Sequence, residues 1–257
     1  MSLVYLYGFV PADATTPEHG LLGVGDAEVE LVPLDGFAAA VGRVDPDTYD
    51  AAGLESRAAD VEWMAEQGLR HEQVVAWFVD TASILPSRLL TLFSGDAVLR
   101  SNAAAEAARI RSELDRFADV REWDLKVGYR SEQLVEHLAE VSGRVRELDR
   151  RIEEATPGKR FLLEKKRRTM ARAEARQTAR RLAGELLESV RPMSSDVAVV
   201  PPPAEAPVVL NAALLVPRGH EAEARDRVRR EVDRLAALGL VVEYTGPWAP
   251  YRFLDSG

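Results

Sequence analysis

The apolar positions between Ser131 and Val190 repeat as they do in two long helices joined by a short break. Before the break they recur at alternating steps of four and three, which keeps an apolar seam on one side of a helix. The TPG segment at 156–158 interrupts this pattern, because proline disfavours helix at the residue before it and glycine turns at little steric cost. A second helical run follows from Lys159 to about Val190. The pattern predicts a long antiparallel helical hairpin of coiled-coil type.

The residues before the hairpin alternate between strand patterns and helix patterns. Continuous or alternating apolar runs predict strands at 4–10, 29–32, 37–44, 84–93 and 122–129. Apolar residues at helical spacing predict helices over 57–82 and 96–118. This order favours an α+β sandwich of ferredoxin-like type, in which helices cover one face of a mainly antiparallel sheet. We therefore predict a ferredoxin-like α+β domain over residues 1–130.

The residues after the hairpin predict a second, smaller group of strands. The segment 191–207 contains five prolines and is typical of an extended connector. Apolar patterns then predict a strand at 208–216, a helix at 221–238 and a strand at 240–245, followed by a turn-rich aromatic segment at 246–253. The second predicted domain, 131–257, is thus the helical coiled-coil hairpin plus a C-terminal β-α-β unit, a strand-helix-strand arrangement.

Composition narrows the classes of function. The chain has 257 residues and a formal net charge of -9, so its overall field repels nucleic acids and anionic membranes. There is no cysteine, which excludes disulfides and thiolate zinc sites and fits a reducing cytoplasm. The N-terminus has no basic segment before an apolar run, and no apolar run approaches the length of a membrane span. We expect a cytoplasmic protein without a membrane partner.

Candidate catalytic chemistry is sparse. The chain has four histidines, and none pairs with another at metal-ligand spacing. The glycine-containing loop at 20–25 leads toward a strand and has no lysine, unlike a phosphate-binding loop. Nucleophile-elbow and dinucleotide fingerprints are also missing. We assign no catalytic, cofactor-binding or metal-binding residue and predict a protein that is not an enzyme.

Two single residues stand out within apolar patterns. His71 falls on the packed stripe of the predicted helix over 57–82, where a structural role is favoured over a ligand role. Arg88 lies inside the apolar run at 84–93, where an unpaired buried charge is costly. Pairing with an internal carboxylate or carbonyl is the favoured interpretation of Arg88, and a docking role is the alternative. Arg88 is the one partner-binding candidate.

A basic stretch opens the second hairpin helix. Between Lys159 and Arg181 ten basic residues face only two acidic ones, Glu164 and Glu174. Such a stripe could contact phosphates, but no aromatic residue beyond Phe161 interleaves with it for base stacking. A solvated face, or one paired with acidic residues of the opposing helix, is the favoured interpretation, and we expect no nucleic-acid partner. The alternative interpretation is that this face binds a nucleic acid or another protein.

Several motifs occur in order along nearly the whole chain. They are YLYG at 5–8, GLLGV at 20–24, HE at 71–72, EWDLKV at 122–127, GKRFL at 158–162, LNAALLV at 210–216 and GPWAPYRF at 246–253. Together they resemble gas vesicle accessory proteins of the GvpL/GvpF family. The resemblance marks eight motif residues as structural, namely Trp123, Lys126, Asn211, Gly246, Pro247, Trp248, Pro250 and Tyr251.

The resemblance implies a noncatalytic role without a cofactor. It implies a gas vesicle assembly or minor structural protein that binds the small hydrophobic shell protein and limits aggregation of the shell protein during vesicle formation. Other accessory vesicle proteins are further candidate partners. The alternative is a coiled-coil adaptor that contacts another vesicle component or nucleic acid through the basic hairpin face. One motif departs from the family pattern: Leu89-Leu90-Thr91 stands where the family usually has Phe-Gly-Thr. The oligomeric state does not follow from the sequence.

Overall fold

The structure is a computed structural model that describes residues 3–17, 20–203 and 206–254. Within these residues the chain forms nine strands, ten α-helices and four short 3-10 helices. The strands are β1 Leu3–Pro11, β2 Val29–Pro33, β3 Phe37–Val44, β4 Leu85–Pro86, β5 Leu92–Phe93, β6 Val120–Tyr129, β7 Asp196–Val199, β8 Val208–Pro217 and β9 Leu240–Trp248. The α-helices are α1 Pro46–Tyr49, α2 Ala51–Arg57, α3 Val61–Thr81, α4 Asp96–Ala105, α5 Ala107–Arg116, α6 Ser131–Glu136, α7 Leu138–Val141, α8 Gly143–Glu153, α9 Pro157–Val190 and α10 Glu221–Ala237.

The strands form two sheets. The first has the order β2-β3-β1-β4, with β5 also pairing with β1, and the second has the order β7-β8-β6-β9. The prediction of mixed helix and sheet is therefore confirmed, with antiparallel pairing in both sheets. No helix in the described parts of the chain is both long and apolar enough to cross a membrane.

The chain divides into two compact units. The first comprises residues 1–122 and 247–257, and the second comprises residues 123–246. We predicted a division after residue 130. In the structure the chain enters the second unit within β6 and leaves it within β9, because these two strands are neighbours in the second sheet.

The first unit is built around β1, whose apolar side chains are buried on both faces of the sheet. Tyr5 and Tyr7 point into a core formed with α3, whereas Val4 and Leu6 pack with Leu99 of α4. Alternate side chains of a strand point to opposite faces, so a continuous apolar run fits a strand covered on both sides. The expectation that helices cover only one face is therefore wrong.

The ferredoxin-like description of this unit is not confirmed. β1 pairs antiparallel with β3. Between β1 and β2 the described residues contain the 3-10 helix Val24–Asp26 and an isolated bridge between Leu22 and Glu28, but no α-helix. A ferredoxin-like fold instead joins its first two strands by a helical crossover, which leaves them parallel. The predicted strand at 84–93 is also two strands of two residues each, β4 and β5, separated by a turn.

The second unit contains the long helix α9, which starts with Pro157 at its first turn and runs for 34 residues. α8 lies antiparallel to α9: Arg167 Nη2 donates to Asp149 Oδ2 at 3.1 Å, and Ser142 Oγ donates to Glu174 Oε1 at 2.7 Å. The first hairpin arm differs from the prediction, because it is three helices, α6, α7 and α8, with breaks at His137 and Ser142.

The break at Ser142 has a local cause. Ser142 has extended backbone angles and is the N-cap of α8, where its Oγ accepts from Val145 N at 3.3 Å. The same hydroxyl donates to the buried carboxylate of Glu174. Leu138, on the other side of the break, stays buried with Val145. The apolar seam thus continues through a break that the spacing of apolar residues does not reveal.

Two further elements differ from their predictions. The helix predicted over 96–118 is interrupted at Glu106, between α4 and α5. The proline-rich connector contains a strand, β7, which pairs antiparallel with β8 from Asp196 opposite Leu215 to Val199 opposite Ala212. The four residues of β7 lie between Pro192 and Pro201 and so retain the backbone donors that prolines lack.

Candidate functional site: the Arg88 groove

The candidate site lies in the first unit, where the turn between β4 and β5 crosses the central strand. Ser87 N donates to the carbonyl of Tyr7 at 2.9 Å, and Leu6 N donates to the carbonyl of Thr91 at 2.9 Å. Within the turn, Thr91 N donates to the carbonyl of Arg88 at 3.2 Å. These bonds fix the backbone of the turn on β1 and leave the side chain of Arg88 directed to solvent, since Arg88 is exposed.

Leu90 is the strained residue of this turn. Its φ is +62°, in the left-handed region, where a residue with a side chain is less stable by roughly 1–2 kcal/mol than in the right-handed region. It occupies the position where the resembled family usually has glycine, a residue without that penalty. The side chain of Leu90 packs against the core that contains Tyr5, and Leu90 N donates to Tyr5 Oη at 3.1 Å. Packing and a hydrogen bond therefore hold the strained backbone in place.

A network of hydrogen bonds lies beneath the turn. Tyr5 Oη and His71 Nδ1 are 2.9 Å apart, and Tyr251 Oη lies 3.5 Å from His71 Nε2. Tyr5 Oη also accepts from Leu90 N, so this hydroxyl links the turn to the imidazole of His71. Tyr251 Oη donates to Glu72 Oε1 at 2.8 Å. The network joins β1, α3, the turn and the C-terminal segment.

Burial sets the protonation states in this network. It lowers the pKa of His71 to about 4, so the imidazole is neutral at pH 7. Burial also raises the pKa of Tyr5, and burial and the nearby Glu72 carboxylate raise the pKa of Tyr251. The groups are therefore neutral hydrogen-bonding partners, and His71 is buried on α3 as predicted.

The C-terminal segment is held to the first unit by two more contacts. Arg252 N donates to Glu122 Oε2 at 3.0 Å, and Arg116 Nη1 donates to the carbonyl of Phe253 at 3.2 Å. Glu122 is only 3% exposed and Phe253 only 7%. The segment 249–254 is thus an integral part of the first unit.

A surface groove of about 410 Å³ opens beside this segment, and we call it the Arg88 groove. Its lining combines apolar side chains with two arginines, and consists of Phe9, Leu85, Pro86, Ser87, Arg88, Thr91, Arg109, Tyr251 and Leu254. Arg109 Nε donates to Glu106 Oε2 at 2.8 Å. Such a groove can hold an apolar segment that carries a negative charge.

The favoured interpretation of Arg88 as internally paired is wrong. Arg88 is exposed, and its side chain makes no hydrogen bond or ion pair with the part of the chain that the structure describes. The sequence run of apolar residues around it suggested a buried strand, but β4 ends at Pro86 and the turn places Arg88 outside. Its docking role stays a prediction.

The other motif residues make contacts within the described chain, and their structural role stays a prediction. In the second unit, Trp123 is buried, stacks on Tyr244 with ring centroids 5.0 Å apart, and donates from Nε1 to Glu221 Oε1 at 3.1 Å. Lys126 Nζ lies 3.5 Å from Glu243 Oε2 on β9. Asn211 is half-buried in β8, and its carbonyl accepts from Val200 N at 2.9 Å.

The GPWAPYRF motif carries the chain from one unit to the other. Gly246 is the last residue of the second unit. Its φ is +144°, a backbone conformation that would be strained in a residue with a side chain. Pro247 follows as the first residue back in the first unit, and Trp248 ends β9 with 43% of its surface exposed. Pro250 is buried and accepts from Phe253 N at 3.1 Å. Tyr251 is the motif residue that the structure brings together with Arg88, because both line the Arg88 groove.

The glycine-containing loop at 20–25 has a packing role. A Cβ on Gly23 would lie 1.9 Å from Tyr7 Oη, and Val24 N donates to that same oxygen at 2.9 Å. The loop therefore needs a glycine to close over the Tyr7 hydroxyl, and this contact accounts for Gly23 without a phosphate.

Sequence reasoning missed Phe9 and Arg109 as groove residues and Tyr5 as the partner of His71. Phe9 and Tyr5 were visible only as members of an apolar strand, and Arg109 only as a charge on a helix. The single available signal was the pair of tyrosines at 5 and 7, whose hydroxyls require partners when buried.

The chain is similar in sequence to known gas vesicle proteins. The family model described as gas vesicle synthesis protein GvpL/GvpF matches residues 3–255. The chain is 29% identical to gas vesicle protein L of Streptomyces sp., over 98% of this chain and 92% of the relative. It is 30% identical to gas vesicle protein L2 of Halobacterium salinarum, over 90% of this chain and 83% of the relative. The chain belongs to the GvpL/GvpF family.

Solved structures share the fold. The crystal structure of gas vesicle protein GvpF from Anabaena sp. superposes with a TM-score of 0.74 at 18% identity and covers all of both chains. GvpF from Microcystis aeruginosa gives a TM-score of 0.67 at 16% identity, over 98% of this chain and 99% of that one. Family and relatives support a gas vesicle accessory role, and the family is one of accessory proteins associated with gas vesicle components.

Proposed function

We propose that this chain is a noncatalytic gas vesicle assembly or minor structural protein that binds the small hydrophobic shell protein. Binding would cover apolar surface of the shell protein and so limit its aggregation during vesicle formation. Family membership supports the vesicle role, and the Arg88 groove supports the binding role. We propose that it acts in the cytoplasm, in association with gas vesicles.

The observation that carries the proposal is the unpaired Arg88 in a groove that is lined by both apolar and polar groups. Phe9, Leu85 and Pro86 offer apolar contact, while Arg88 offers a guanidinium with no internal partner among the described residues. An exposed arginine that is not used by the fold can form a bidentate hydrogen-bonded pair with a carboxylate of a client. A hydrophobic client segment that bears one acidic residue matches both parts of the groove.

The test is co-expression of the full chain with the shell protein, followed by copurification. Arg88→Glu should reduce the amount of shell protein recovered by about tenfold, because the variant places a negative charge where the client carboxylate binds. Arg230→Glu is the matched control, since Arg230 is an exposed arginine of α10 and its replacement changes the net charge equally.

Two results would count against the proposal in different ways. If the wild-type chain recovers neither the shell protein nor another vesicle component, the assembly role is wrong. If Arg88→Glu and Arg230→Glu recover as much shell protein as the wild type, the assembly role stands and the Arg88 groove is not the binding surface.

A second candidate is an adaptor role through the basic face of α9. Lys165, Lys166 and Arg168 are exposed, and none has an ion pair or side-chain hydrogen bond with another described residue. Such a face can bind an acidic vesicle component or nucleic acid. Salt-sensitive binding of DNA by the intact chain would favour the nucleic-acid version.

A further inference from the structure

The first turns of α9 expose two large apolar side chains. Phe161 is 61% exposed and Leu162 is 65% exposed, and the buried residues of this helix begin only at Ala171. An exposed pair of this size on an otherwise charged helix indicates a contact surface, because water contact at large apolar side chains is unfavourable.

Basic residues flank this pair, and the exposed Glu164 lies one turn from Phe161. Lys165, Lys166 and Arg172 lie on the same side of α9 as Phe161 and Leu162 by helical spacing, and all three are exposed. None of the three has an ion pair with a described residue, whereas Arg167 is paired with Asp149 of α8. We call this surface, Phe161 to Arg172 on the exposed side of α9, the basic stripe. Its partner must offer apolar contact flanked by negative charge.

α3 in the first unit has such a surface. Val61 is 80% exposed and Leu69 is 66% exposed, and Ala65 between them is also exposed. Glu62 and Glu66 lie beside these positions and are exposed. Glu66 is ion-paired with Arg70 one turn further on, at 2.9 Å, whereas Glu62 has no ion pair with a described residue. We call the surface from Val61 to Leu69 on this side of α3 the acidic stripe.

The two stripes match in spacing as well as charge. Val61 and Leu69 are eight residues apart, or about 12 Å along the helix axis. Ala65 leaves a shallow gap between them that can receive a side chain such as Phe161. Lys165 beside Phe161 then meets Glu62 beside Ala65, and each apolar residue is covered in a contact between two helices.

We propose that the basic stripe of one copy of this chain docks on the acidic stripe of a second copy. The charge distribution supports a second copy as the occupant. Residues 1–122 contain 21 acidic and nine basic residues, whereas residues 123–246 contain 20 acidic and 23 basic residues. Two copies therefore attract each other through unlike units.

The contact is between different surfaces of the two copies. Such a heterologous contact leaves one free acidic stripe and one free basic stripe on every pair, so further copies can add. The chain would then form oligomers that grow with concentration and shrink with salt, because the flanking pairs are exposed and screened.

The test is sedimentation velocity of the full chain over a range of protein and salt concentrations. The wild type should self-associate, and Leu69→Ser and Leu162→Ser should each weaken the association by at least about tenfold. Both residues are on the surface, so circular dichroism should show an unchanged fold. Val98→Ser, at a 43% exposed valine of α4 outside both stripes, is the control and should associate as the wild type does.

A charge exchange makes the test specific. Lys165→Glu and Glu62→Lys should each weaken self-association, and one chain that carries both changes should recover it, because the charge pair is restored with opposite signs. An equimolar mixture of the two single variants should also recover association, because the wild-type pair of stripes and the charge-exchanged pair can both form between unlike variants.

The proposal is overturned if the wild type stays monomeric at every concentration and salt level. It is equally overturned if the wild type self-associates but the two serine variants match Val98→Ser, or if the double charge exchange fails to recover association that each single change weakened. Binding of an acidic peptide or of duplex DNA at the basic stripe, without self-association, would assign the surface to that partner instead.

Discussion

Leu90 shows how a single residue can keep a turn while replacing the glycine that fits it best. The backbone conformation at φ +62° is unfavourable for leucine, yet the side chain contributes to the core beside Tyr5. Strain and packing oppose each other at this position, and substitutions can separate them.

We predict that Leu90→Ala destabilises the chain by about 2 kcal/mol, because it loses the packed side chain and keeps the strain. Leu90→Gly loses the same packing but relieves the strain, so it should be more stable than Leu90→Ala by about 1 kcal/mol. Urea unfolding of both variants gives the difference. Equal stabilities would show that the left-handed conformation is not populated in solution.

His71 makes stability depend on pH in a defined window. Its pKa is near the ordinary value of 6.5 in the unfolded chain and about 4 in the folded chain. Between these values the unfolded state binds more protons, so stability rises with pH and is lost as pH falls from 6.5 toward 4. The loss attributable to His71 should reach about 3 kcal/mol at the lower end.

The measurement is the free energy of unfolding at several pH values for the wild type and His71→Gln. Carboxylates also titrate near the lower end, so the informative quantity is the difference between the two proteins. The free energy of unfolding of the wild type relative to that of His71→Gln should decrease as the pH falls from 6.5 toward 4.

At the scale of elements, the C-terminal segment is attached to the first unit by a small number of polar contacts. Tyr251→Phe removes the hydroxyl that donates to Glu72 and approaches His71, and we expect a loss of about 1 kcal/mol in stability. Backbone amides of residues 249 and 251–253 should exchange with deuterium faster in the variant. Tyr129→Phe, at a half-buried tyrosine of β6, is the control.

The break between α7 and α8 should be stabilising rather than a defect. Ser142→Ala removes the N-cap acceptor of α8 and the donor to the buried carboxylate of Glu174, which should cost about 2 kcal/mol. Ser189→Ala, which removes only a bond to the carbonyl of Leu186 within α9, should cost less in the same thermal unfolding assay. A gain in stability from Ser142→Ala would mean that the uninterrupted helix is favoured.

Elements with a strong apolar period were predictable from the sequence, and their breaks were not. The alternation in β6 correctly predicted that Trp123, Leu125 and Val127 are buried on one side. The breaks at Glu106, His137 and Ser142 escaped prediction, because the apolar period continues across them and the partner that stabilises Ser142 is 32 residues away.

The candidate site was less predictable than the fold for a similar reason. Arg88 was recognisable as a charge in an apolar run, but whether it is exposed depends on the left-handed turn at Leu90. The contacts of Tyr251 with α3 join residues about 180 positions apart, and no local pattern records them.

At the scale of the whole molecule, residues 123–246 form a unit with one continuous core from β6, β8, α9 and α10. We predict that a fragment of these residues folds cooperatively by itself, as judged by its thermal unfolding and the dispersion of its amide resonances. A fragment of residues 1–122 should be markedly less stable, because it lacks Tyr251 and Phe253. Addition of residues 247–257 through a flexible linker should restore much of that stability.

The two crossings within β6 and β9 also set an order of events on the ribosome. The second unit is one uninterrupted stretch, so the ribosome makes all of its residues before it makes residues 247–254. The first unit begins to be made earliest, but the contacts of Tyr251, Arg252 and Phe253 form only after the whole second unit has been made. The Arg88 groove, which Tyr251 and Leu254 help to line, is therefore completed after the second unit, so a nascent chain that stops short of residue 251 cannot present the complete groove to a client.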